Sequence, residues 1–188
     1  MKILIAQPAS RQIQKAISLM KEEIEGGSRE LLQNISNGKS QGVTVEIWDS
    51  AKLPVTCAEI KKSDADLFIN FNLAGFEQST LTDGIAYNLL DCKQIHILLE
   101  DHLPQEKYLA KQISISMFFY CMDAEYYCYL QEKYPDIPYL KVAESWEKGG
   151  KENRSENYAD ALYCMIREVM SFVGYTIRQK GKKIYEKL

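Results

Sequence analysis

Residues 64–101 constrain this chain more than any other stretch. Two short apolar runs, Leu67 to Asn72 and Ile95 to Leu99, flank a loop containing Gly75, a polar 78–83 segment and an apolar-periodic stretch that reaches Leu90. Strand, loop, helix and second strand is the pattern of a βαβ unit, and its crossover is expected to be right-handed. Ligands of such sheets bind just outside the carboxyl ends of the strands. That rule selects Asn70, Asn72, Gly75, Glu77, Thr80, Glu100 and Asp101 as candidate ligand-binding residues.

The rest of the chain repeats the alternation. Lys2 to Gln7 is expected as a buried first strand, ended by Pro8 and the cap signal at Ser10. Ile13, Ala16, Ile17, Met20 and Ile24 then recur at helical spacing, with Lys15, Lys21, Glu22 and Glu23 on the other face. Gly26 and Gly27 interrupt that period, so the segment to Gly38 is one kinked helix or two short ones. Val43 to Trp48 alternates as a second strand, and a short segment follows around Ala58 to Lys62. A helix is expected from Thr80 or Thr82 to Cys92, and another from Pro104 through Lys111. Ile113 to Cys121 reads as a fifth strand. Asp123 is placed to cap a tyrosine-rich helix that stops before Pro135, and Tyr139 to Ala143 reads as a sixth, edge strand.

This alternation predicts a three-layer α/β fold with a mainly parallel five- or six-stranded sheet, flavodoxin-like or Rossmann-like, and a long C-terminal helix. A chain of 188 residues suits one domain, 1–188, with a polar, glycine-containing linker at 148–156 before the terminal helix. The net charge of -3 supplies no global field for nucleic acid. No apolar run reaches the roughly 20 residues of a membrane helix. The first apolar run is too short for a signal-peptide core before Arg11, so the protein is expected in the cytoplasm. An odd number of cysteines, 5, without paired spacing fits reduced thiols.

The chemical motifs are mostly absent. Asn37 to Ser40 ends like a P-loop but follows a helical segment, and Gln7 to Ser10 stands where a dinucleotide fold carries its glycines. His96, Glu100 and His102 could supply metal ligands, yet alternation sets His96 well below the crevice, so no metal site is expected and no cofactor is implied. The acids Glu77, Asp83, Glu100, Asp101 and Asp123 all fall near one sheet edge. Two carboxylates in a dry crevice can split their pKa values and serve as acid and base, but acids at these positions also cap helices. The aromatics from Phe118 to Tyr134 suit a core or an interface better than a nucleic-acid platform, since few lysines and arginines lie among them.

The stretch from Asp66 to Gly75, with Ile95 to Asp101, resembles the N-terminal Rossmann-like half of bacterial B-type glycosyltransferases related to spore-maturation proteins. The resemblance implies an acceptor-side or interaction domain, because those enzymes bind the sugar nucleotide largely on a second Rossmann domain. The same stretch is similar to a response-regulator receiver domain, with Asn70 at the phospho-acceptor position and without the acidic pair after the first strand. That likeness implies a receiver that has lost its phosphorylation chemistry. The function expected is a binding or assembly component; a small enzyme using the strand-end acids on a sugar or nucleotide-like ligand is the alternative.

Beyond the linker, the apolar stripe from Tyr158 to Ile177 runs about five turns, longer than one small sheet covers. Soluble monomers avoid exposed stripes of that size, so a homo-oligomer or protein partner is expected on Met165, Val169, Phe172 and Ile177. Light scattering should therefore report about twice 21.6 kDa. Replacing Val169 and Phe172 together with Glu should give a folded monomer. A monomeric wild type would contradict the reading.

Overall fold

The computed structural model describes residues 2–6, 10–11, 13–15, 17–18, 21–22, 44–48, 56–77, 84–101, 103–111 and 113–142. The linker at 148–156, the terminal helix and its four interface candidates, Thr80, Asp83, His102, and the segment from Glu23 to Gly38 lie outside these residues. The described residues contain six strands: β1 (Lys2–Ala6), β2 (Thr44–Trp48), β3 (Leu67–Phe71), β4 (Lys93–Leu98), β5 (Met117–Cys121) and β6 (Leu140–Val142). They form one sheet in the order β2-β1-β3-β4-β5-β6, and every neighbouring pair is parallel. The first five follow the flavodoxin-like order, and β6 extends the sheet by one strand.

Strand order and handedness together distribute the connections. The chain steps from β1 to β2 in one direction and then always in the other, so right-handed crossovers put the first connection on one face and the later ones on the opposite face. Period-two alternation fills both faces. Ile3, Ile5, Leu67, Ile69, Phe71, Ile95 and Ile97 are buried toward one side. Leu4, Ala6, Phe68, Leu98, Met117, Phe119 and Cys121 join a single core cluster on the other. Helical residues between Arg11 and Glu22 bury Ile13 and Ile17 and expose Arg11, Lys15 and Ser18, the amphipathic pattern their spacing predicts.

On the second face the covering layer is short and irregular. The Cys57–Lys62 helix begins in a capping box: the Thr56 hydroxyl accepts from the Glu59 amide at 3.2 Å, and the Glu59 carboxylate accepts from the Thr56 amide at 2.8 Å. It buries Ile60 against the Ala86–Leu89 segment. The Ala124–Lys133 helix is capped by Asp123, whose carboxylate accepts from the amides of Glu125 at 2.7 Å and Tyr126 at 3.0 Å, as the sequence predicts.

Two expected helices are corrected. Residues 84–92 contain a 3-10 turn, Ala86–Leu89, and no α-helix, and the helix expected from Pro104 is a 3-10 helix, Glu106–Ala110. In the first case the Tyr87 carbonyl takes the Leu90 amide at 3.1 Å and the Gln94 side-chain amide at 2.8 Å, so a contact from β4 takes up the acceptor that would have continued a helix. In the second, Glu106 is drawn into a tyrosine cluster described below. The fifth strand also starts four residues later than its apolar run, at Met117, because Ser114 to Ser116 turn into the sheet. No helix among the described residues is long and apolar enough to cross a membrane.

Candidate functional site

β3 lies inside the sheet between β1 and β4, with all five of its residues buried. Ala6, Asn70, His96, Phe119 and Leu140 stand side by side as Cα partners in one row across five strands. Phe68 and Gln94 pair one step earlier on the same face. The middle of this face thus carries three polar side chains, Asn70, Gln94 and His96, all fully buried among apolar neighbours.

After Phe71 the chain turns back over this row. Asn72 and Leu73 both adopt left-handed conformations, with φ of 49° and 54°, and Gly75 follows at 80°. For a leucine that region costs about 1–2 kcal/mol. The turn is held by pairing at both ends. The Asn72 amide donates to the Ile97 carbonyl at 2.9 Å, and the Leu99 amide donates to the Asn72 side-chain oxygen at 2.8 Å, which joins the ends of β3 and β4. The Ala74 carbonyl accepts the Asn70 side-chain amide and the Tyr87 hydroxyl, each at 2.9 Å. Gly75 is required twice over: its φ is positive, and a Cβ there would collide with the Tyr87 hydroxyl. Leu73 and Phe76 are driven fully into the core, which closes the turn against the sheet.

His96 sits in a box of rings. Phe119 stacks on it at 4.9 Å and 22°, and Phe76 meets it edge-on at 5.0 Å and 87°. Burial pushes its pKa down to about 3, so the imidazole is neutral at physiological pH. Among the described residues, neither His96 ring nitrogen has a hydrogen-bond partner, nor do the side-chain oxygens of Asn70 and Gln94. Each such atom ordinarily costs about 1–3 kcal/mol, so four of them at one place call for an explanation.

The remaining sequence candidates are placed differently. Glu77, Glu100 and Asp101 are exposed at the strand ends, away from the buried row. No group of three histidine, cysteine or acidic residues among those described could hold a metal ion. None of the described cysteines, Cys57, Cys92, Cys121 and Cys128, forms a disulfide. Burial, followed by the nearby Asp66 and Asp91 charges, raises the Cys92 thiol to about 11, and burial with Asp123 raises Cys121 to about 12, so neither is an activated nucleophile.

A second polar cluster lies beyond β5. The buried Glu106 carboxylate accepts from the hydroxyls of Tyr126 at 3.1 Å, Tyr129 at 2.9 Å and Tyr134 at 3.2 Å, and from the Lys133 ammonium at 2.9 Å. Lys133 also donates to the Tyr129 hydroxyl. Burial alone would raise the Glu106 pKa, but the bonds from Lys133, Tyr129 and Tyr126 outweigh it and lower the value. Tyr87, Gln94, His96 as a core residue, and Glu106 are not singled out by strand-end reasoning. Gln94 and His96 could have been found as polar residues at inward strand positions; Tyr87 and Glu106 carry no such signal, since the partners of Glu106 lie 20 to 28 residues further along the chain.

No family model matches the chain, and comparisons with curated proteins and with solved structures returned no match.

The Glu106 cluster gives a pH prediction. A carboxylate whose folded pKa is below its unfolded value, near 4.5, contributes stability that is fully present above that value and is lost as pH falls through the folded pKa. Glu106→Gln should cost about 2–3 kcal/mol in urea unfolding at neutral pH, since it turns an acceptor toward four donors into a partial donor. The difference from wild type should shrink in acid. An equal difference at both pH values would contradict the assignment.

Proposed function

We propose that this chain is a binding or assembly component, an acceptor-side or interaction domain of the kind the glycosyltransferase resemblance implies, and not a stand-alone enzyme. One observation carries the reading: beneath the turn from Asn72 to Phe76, at the end of β3 where an open-sheet enzyme would receive its substrate, the buried polar side chains are Asn70, Gln94 and a neutral His96, with no acid among them. Both asparagines are engaged there, Asn70 on the Ala74 carbonyl and Asn72 on the Leu99 amide. Of the acids that an acid–base mechanism would draw on, Glu77, Glu100 and Asp101 stand in solvent, the half-buried Asp123 caps a helix, and Asp83 lies outside the described residues. Carboxylates shift their pKa values apart when they share a dry site, which exposure opposes. Solvent-exposed Ile115, at 81%, and Tyr139, at 47%, add apolar surface near the start of β5 and β6 that favours assembly.

The test is a thermal-shift and turnover screen with sugar nucleotides and magnesium. A ligand at 100 times its dissociation constant adds about 2.7 kcal/mol, several degrees for a chain of this size. The expected result is no shift and no release of nucleoside diphosphate. Turnover that is abolished by Glu77→Gln or Glu100→Gln would replace this reading with that of a small enzyme.

A further inference from the structure

We propose that the Asn72 to Glu77 turn is a movable plug over a binding site for a neutral aromatic lactam, whose ring takes the place of Phe76. This names a ligand class for the crevice already described, and it holds only if the chain is a binder, as argued above.

The shape comes from Phe76 itself. Its ring stands edge-on to His96 at 5.0 Å, to Tyr87 at 5.7 Å and to Phe119 at 6.4 Å. The space is therefore cut for one flat six-membered ring with aromatic walls. The chemistry comes from the atoms left without partners: the side-chain oxygens of Asn70 and Gln94, and both nitrogens of His96. The amide oxygens accept. A neutral imidazole offers one donor and one acceptor. A lactam edge sets an N–H beside a C=O, so it can donate to Asn70 and accept from His96, which a phenyl ring cannot do.

Charge and polarity exclude the obvious rivals. The only buried charged residue among those described is Glu106, and it is already held by three tyrosines and Lys133. An ionic ligand beside Asn70, Gln94 and His96 would lose its hydration without meeting a counter-charge. A sugar carries more hydroxyls than these four atoms can pair.

The turn is built to move. Its left-handed Leu73 is a strained conformation that opening would relax, and its Ala74 carbonyl is tied by two hydrogen bonds, from Asn70 and Tyr87. Opening frees the Asn70 amide as well as its oxygen, so the same side chain serves first as a latch and then as a ligand contact. Binding then competes with closure, and weakening the latch should strengthen the apparent affinity.

The experiment titrates the full chain with millimolar 2-pyridone and follows the imidazole protons of His96, one of only 2 histidines, by NMR. N-Methyl-2-pyridone, the same ring without the N–H, is the control. The expected result is a saturable change at His96 with 2-pyridone and none with the control. Tyr87→Phe, which keeps the ring and removes one latch bond, should tighten binding about fivefold, the equivalent of about 1 kcal/mol. No change at His96 in either wild type or Tyr87→Phe would overturn the proposal, and so would equal binding of the two pyridones. A silent titration without sugar-nucleotide turnover removes only the plug; turnover removes the binding reading itself.

Discussion

The carbonyl oxygen of Ala74 is the point on which the strand ends depend. It receives the Asn70 side chain from β3 and the Tyr87 hydroxyl from the Ala86–Leu89 segment, so one acceptor fixes both a strand and its crossover against the turn. Each bond contributes about 1 kcal/mol net, and the left-handed Leu73 costs about 1–2 kcal/mol. Latch and strain are thus of the same size. Closure is decided by burying Leu73 and Phe76, two fully enclosed apolar side chains worth about 1.5–3 kcal/mol each. The turn is therefore closed at rest by about 3–6 kcal/mol, and a ligand displaces it only by offsetting that cost with its own ring burial and hydrogen bonds.

Two polar clusters on the same face illustrate opposite uses of burial. Around Glu106 every donor converges on one carboxylate, and the cluster ties the Glu106–Ala110 3-10 helix to the Ala124–Lys133 helix. A fully satisfied buried network rigidifies its surroundings. Around His96 the acceptors and the imidazole nitrogens are left open inside a ring-lined space. The first cluster is scaffold. The second holds the hydrogen-bonding capacity that a scaffold would have used up.

Much of the architecture was legible in the chain. Apolar runs bounded by Pro8, Asp91 and Asp123 mark strands wherever parallel pairing buries both faces, and Asp123 announces the helix it caps. The two crossovers on either side of β4 were not legible as 3-10 turns, because their apolar spacing suits a helix and only a distant side chain, Gln94 on the Tyr87 carbonyl or the tyrosines on Glu106, stops one from forming. Of the candidate site, Asn70, Asn72 and Gly75 follow from strand-end position alone. The inward Gln94 and His96 could have been read as exceptions in an apolar alternation. Tyr87 could not, since its role depends on where a 3-10 turn points one hydroxyl.

A movable plug requires the Asn72 to Glu77 turn to open as a unit while the sheet stays folded. Native-state hydrogen exchange tests it directly, because the amides of Ala74, Phe76 and Leu99 are bonded to Phe71, Leu73 and the Asn72 side chain within this one unit. These three amides should share one opening free energy, well below that of the β4 and β5 amides of Gln94 and Phe119, which are held by Ser116 and Tyr139. Exchange of the turn amides at the rate of global unfolding would show that the turn is a fixed part of the core and not a plug.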